Sequence, residues 1–111
     1  MWLEQQGCLA GFIVACANAD IELLRTTLRD VVIEPVRKDA VPCFDAVRDA
    51  ALAAGGLGVS LSGSGPSLFA LAETANAAAV ADAMAEASRS AGIECQAWVS
   101  SMSAPGASVV A

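Results

Sequence analysis

The sequence predicts an α+β domain in which helices cover one face of an antiparallel sheet. Two observations predict it. Apolar residues recur at helical spacing in three segments before residue 55 and again from 74 to 91. Strand-like patterning occupies 57–62, 67–72 and 93–100. Helices, then a hairpin, then a helix and a further strand is the order of a two-layer sandwich. A chain of 111 residues is expected to hold one domain.

The elements follow in order. Leu9, Phe12, Ile13 and Cys16 place an apolar helix over residues 3–17, with Trp2 as ordinary packing. Asn18 and Asp20 break the pattern, and Asp20 is suited to cap the next helix. Ile21, Leu24 and Leu28 give that helix its apolar face, with Glu22, Arg25 and Arg29 outside. A bend is expected at Glu34-Pro35, because the residue before a proline avoids helical geometry. Pro42 is expected to open a third helix, burying Phe44, Val47, Ala51 and Ala54 and ending at Gly55-Gly56. Asp45 and Asp49 lie one turn apart on it. With Arg48 between them they read as a solvated face and not as a metal site.

Leu57, Val59 and Leu61 alternate with Gly58, Ser60 and Ser62, which is strand periodicity. Gly63-Ser64-Gly65-Pro66 breaks it, and Ser67–Ala72 reads as a central strand. Thr74 is placed to cap a fourth helix with Ala77, Val80, Met84, Ala87 and Ala91 buried and Gly92 as its stop. Ile93, Cys95, Ala97 and Val99 alternate as a third strand, and Ser108–Val110 reads as a short fourth. Trp98 marks an interface or covers the sheet edge.

Composition excludes several functions. The chain is acidic, with net charge −6, no histidine and no basic run. Nucleic-acid binding is therefore not expected, since phosphate contacts need clustered Lys and Arg. Imidazole chemistry is excluded. Cys8, Cys16, Cys43 and Cys95 form no CxxC pair and read as free thiols in a reducing cytoplasm. Cys8–Ala17 is apolar but too short to span a bilayer. Ala15-Cys16-Ala17 is similar to a signal-peptidase site, yet Met1–Gly7 has Glu4 and no positive start. A cytoplasmic protein off the membrane is expected. Hydrophobic residues make up 56% of the chain, which is more than one small domain readily buries, so a homodimer stays open.

The informative motif is Gly56 to Ser67, a strand running into a loop of glycines and serines. Glycine lets backbone N–H groups approach a ligand and converge on one point. Those groups and the serine hydroxyls could hold a phosphate or carboxylate without a net positive charge. An ordinary Gly/Ser-rich hairpin turn fits equally well. No Gly-Lys-Ser/Thr follows, so the loop is not a Walker motif.

Ser62-Gly63-Ser64-Gly65-Pro66-Ser67, ahead of Leu68-Phe69-Ala70-Leu71, resembles the third motif of the homoserine kinases, a branch of the GHMP kinases. Asp30-Val31-Val32-Ile33-Glu34-Pro35-Val36-Arg37 resembles that family's DVIxEPxR segment. Val41-Pro42-Cys43-Phe44 stands where the family has a PGF turn, and Leu9-Ala10-Gly11-Phe12 is similar to the bacterial members. The segments keep the family's order from about Leu3 onward.

The resemblance implies a ferredoxin-like C-terminal domain over residues 1–111, without the N-terminal ATP-binding domain. It implies transfer of the γ-phosphoryl group of ATP, with Mg2+, to the hydroxyl of L-homoserine in threonine biosynthesis. Ser62, Gly63, Ser64, Gly65 and Ser67 would support the phosphate-binding loop of the N-terminal domain. Arg37 would bind the homoserine carboxylate, for which a guanidinium fork is suited. Without the family, Arg37 reads as a surface arginine paired with Glu34 or Asp39.

The family's PxxxGLGSSAA loop and the groups that hold magnesium are absent from these residues. Phosphoryl transfer needs both positioning and charge neutralisation. The isolated chain is therefore expected to bind neither ATP nor Mg2+ and to be inactive, with no catalytic and no metal residue of its own. A truncated frame or a separated domain is the simplest origin. Cys43 replaces the family glycine at an expected cost of about 1 kcal/mol if that position is strained. Loss of an upstream strand is expected to leave a sheet edge open. Two other functions fit the sequence: a stand-alone amino-acid-binding module without catalysis, and a structural fragment in which the loop is only a turn.

Overall fold

The computed structural model describes residues 1–111. Five α-helices and one two-stranded antiparallel sheet are present. Helix α1 spans Trp2–Asn18 and α2 spans Ile21–Thr27. Ala19, in left-handed geometry, separates them, and Asp20 caps α2 by accepting the Leu23 N–H at 3.0 Å. Helix α3, Glu34–Arg37, runs into a 3-10 turn at Lys38–Ala40. Helix α4 is Phe44–Ala53, β1 is Gly58–Ser62, β2 is Ser67–Leu71 and α5 is Thr74–Ser90.

The hairpin register pairs Val59 with Ala70 and Leu61 with Leu68, so those four side chains share one face. Helices α4 and α5 cover it. Ala51, Val59 and Val80 bury one another there, with Ala70 and Met84 alongside. Phe44, only 1% exposed, anchors the neighbouring cluster of Val41, Cys43 and Val47 against Leu61 and Leu68. Fully burying a side chain of this kind contributes roughly 1.5–3 kcal/mol. The α1–α2 pair has its own cluster, Ala15 and Leu24, joined to the hairpin through Leu57 and Leu71. On the opposite face of β1, Gly58 lies under Leu28. A Cβ there would stand 2.4 Å from the Leu28 Cδ2, so only glycine permits this approach.

The structure departs from the sequence reading at seven points. Ile93–Ser100 is not a strand and Ser108–Val110 is not a fourth, so the sheet holds two strands. Ile93 is tied to α5, its N–H donating to the Ser88 carbonyl at 3.0 Å and its carbonyl accepting from Ser88 Oγ at 2.9 Å. Beyond it residues 94–100 are exposed. Alternation states which side chains share a face; it supplies no hydrogen-bonding neighbour.

The expected bend at Pro35 is a short helix. Pro35 sits in its first turn, where the missing N–H costs nothing. Pro42 lies in a turn ahead of α4, which begins at Phe44. Thr74 is the first residue of α5 and does not cap it; Glu73 precedes the helix without a side-chain cap. Cys43 has φ −97°, an ordinary value, so replacing the family glycine stores no backbone strain. Trp2, finally, is 64% exposed and not packed.

Asp45 and Asp49 both pair with Arg48 on the outer face of α4. All four cysteines are free thiols. No helix is long and apolar enough to cross a membrane.

Candidate functional site: an arginine over a glycine-serine hairpin loop

The site is built from two segments about 26 residues apart in sequence, held together by α3. Asp30 sets the start of that helix. Its Oδ1 accepts the N–H of Val32 at 2.9 Å and of Ile33 at 2.8 Å, and its Oδ2 accepts that of Glu34 at 3.1 Å. These are donors that a helix start otherwise leaves unsatisfied.

Two contacts then clamp α3 to the hairpin. The Ser60 hydroxyl, in a buried residue, donates to Glu34 Oε2 at 2.7 Å. One turn further on, Arg37 Nη2 donates to the Ser64 carbonyl at 3.0 Å. Arg37 therefore pairs with neither Glu34 nor Asp39. It reaches across to the loop.

The loop Gly63–Pro66 joins β1 to β2. Gly63 has φ +68°, a left-handed conformation that residues with a side chain adopt at a cost. The N–H groups of Gly63, Ser64 and Gly65 donate to no protein group. The hydroxyls of Ser62, Ser64 and Ser67 are exposed and likewise make no protein hydrogen bond. Arg37, Val41, Leu61 and the loop from Gly63 to Pro66 line a concavity of about 210 Å³. Arg37 and the loop that carries the free Gly63, Ser64 and Gly65 N–H groups thus border the same space. That arrangement suits a carboxylate or phosphate oxygen.

A larger concavity of about 400 Å³ is lined by Arg25, Arg29, Asp30, Glu34 and Leu57, among others. Its polar groups are already committed. Arg29 pairs with Glu4 at 3.2 Å, Arg25 donates to the Gly56 carbonyl, and Asp30 and Glu34 are engaged as above. The smaller site has more free bonding capacity and is the better candidate.

Of the six residues singled out from the sequence, Arg37, Gly63, Ser64 and Gly65 line this concavity, whereas Ser62 and Ser67 pair with each other at the end of the hairpin and are not part of its lining. Glu34 and Ser60 were missed as positioning groups. Glu34 stands in the quoted acidic-proline segment and Ser60 on the polar side of an alternating strand, opposite Val59 and Leu61, but neither pattern says that the two meet.

Residues 12–90 match the family described as GHMP kinases C terminal, and the chain belongs to that family. Within it the similarity is to homoserine kinases. That of Xylella fastidiosa (strain M12) is 44% identical over 106 residues, covering 95% of this chain and 33% of that protein. That of Xanthomonas campestris pv. campestris is 41% identical over 111 residues, covering 99% and 34%. The crystal structure of homoserine kinase from Cytophaga hutchinsonii superposes with a TM-score of 0.76 at 36% identity, over 80% of this chain and 29% of that one. The chain spans about a third of the length of the curated relatives it matches.

Proposed function

We propose that this chain is the substrate-side, C-terminal part of a homoserine kinase. In such an enzyme the γ-phosphoryl group of ATP passes to the hydroxyl of L-homoserine, a step of threonine biosynthesis in the cytoplasm. The observation that carries the reading is the Arg37–Ser64 contact at 3.0 Å. It joins the two segments that resemble family motifs into one ligand-sized corner.

Arg37 would exchange its neutral carbonyl partner for the homoserine carboxylate. The guanidinium now makes one bond to a neutral oxygen; a carboxylate would add the opposite charge and a second parallel N–H···O bond, which favours the exchange. The Glu34–Ser60 bond would hold α3 while this happens. Ser62, Ser64, Ser67 and the N–H groups of the glycine turn would support the phosphate-binding loop contributed by the other part of the polypeptide. ATP with magnesium would supply the phosphoryl donor and neutralise its charge. No group of three or more acidic or thiol ligands converges in this structure, so no step through magnesium is assigned to these residues.

The test is a chimera in which the first two-thirds of the Xylella fastidiosa enzyme is joined to this chain. The expected outcome is ATP-dependent phosphorylation of homoserine by the chimera and none by the isolated chain. A folded chimera that phosphorylates another small alcohol in preference would refute homoserine as the substrate. Homoserine binding by the isolated chain in calorimetry, together with an inactive chimera, would favour a stand-alone amino-acid-binding module instead.

A further inference from the structure

Helix α1 carries a single charged side chain, Glu4, among 17 residues, and is apolar nearly all round. A helix of that kind is normally covered on every side. One side is covered: Cys8 and Ala15 are buried, and Phe12 packs with Leu24. The other side is bare. Trp2, Leu9 and Ile13 are 64, 58 and 60% exposed, and Cys16 is exposed beside them. These positions fall at i, i+7, i+11 and i+14, a single stripe, with Leu3 and Val14 along its flank. The helix is no candidate for crossing a membrane. By contrast, the outer face of α5 presents Asp82, Glu86 and Arg89, a solvated surface.

We propose that this stripe of α1 is the docking surface for the preceding two-thirds of a homoserine kinase polypeptide. The inference rests on the functional reading above. The matched family is a C-terminal one, and the relatives are about three times as long as this chain. In those relatives the remaining polypeptide therefore joins at the first turn of the helix equivalent to α1, next to Trp2. A segment tethered there meets the stripe at an effective concentration of about millimolar, which a free second copy does not reach. A second copy is the rival occupant.

Cys16 reports on the stripe, and Cys95, also exposed but on the segment after α5, is the internal control. The experiment measures iodoacetamide labelling of both thiols by peptide-resolved mass spectrometry, in the isolated chain and in the chimera. In the chimera Cys16 should label at least about tenfold more slowly, the equivalent of 1.4 kcal/mol of protection, while Cys95 is unchanged. Leu9→Glu should restore the Cys16 rate. Ile13→Gln serves as a milder second variant, and circular dichroism confirms that each variant is folded. Equal Cys16 rates in chimera and isolated chain would overturn the proposal, even if the chimera phosphorylates homoserine. Protection of Cys16 in an inactive chimera would uphold the surface while refuting the functional reading. Concentration-dependent protection in the isolated chain that Leu9→Glu abolishes, with no further protection in the chimera, would assign the stripe to a second copy and overturn the proposal.

Discussion

β1 and the segment Ile93–Ser100 carry the same alternation of apolar with small or polar residues, but their surroundings differ. β1 has β2 along one edge, α4 and α5 over one face, and Leu28 and Glu34 against the other. The later segment is held only at its start, by Ile93 on Ser88 and by the Cys95 thiol donating to the Ala85 carbonyl at 3.8 Å, and has no strand partner; Trp98 is 78% exposed. Alternation is thus necessary and not sufficient. A strand forms where its apolar face meets a lid and its backbone meets a partner, and only the first segment has both.

Substitutions on the two sides can break or sharpen that contrast, with stability measured by urea unfolding of the 111-residue chain. Phe44→Ala removes the most buried large side chain beneath the hairpin and should cost about 3–5 kcal/mol. Gly58→Ala forces a methyl group into Leu28 on the opposite face of β1 and should cost about 1–3 kcal/mol. Gly63→Ala retains the loop but imposes the left-handed conformation on a residue with a side chain, at about 1–2 kcal/mol. Val99→Ser should change stability by less than about 0.5 kcal/mol, as at an ordinary surface position. If Val99→Ser proved as costly as Gly58→Ala, the segment would be packed in solution and the contrast would fail.

The helical faces and the hairpin were legible in the sequence because each is a local period closed by a local stop. Asp20 caps α2, and Gly55 and Gly92, both at positive φ, end α4 and α5. The short helix α3 was not legible. The proline rule disfavours helix at Glu34, and it was outweighed by three bonds from one carboxylate, that of Asp30. Ile93–Ser100 has the period of a strand without being one, because period two says nothing about neighbours.

At the site, the loop and Arg37 could be picked out by their resemblance to family motifs. The contact that unites them could not, since it is a product of how α3 sits on the hairpin. Gly65 shows what the structure adds. Its missing side chain faces open space at ordinary φ, so Gly65→Ala is not a stability probe. Any effect of that change in the chimera would report on ligand or loop approach.

The central claim is that Arg37 and the hairpin loop form one wall of a homoserine site. The most direct measurement is the steady-state kinetics of the chimera carrying Arg37→Ala, with homoserine as the varied substrate. Loss of a charge-assisted contact worth about 1.5–3 kcal/mol should raise KM by roughly 10- to 150-fold and change kcat much less. An unchanged KM for homoserine in a folded, active chimera would contradict the account.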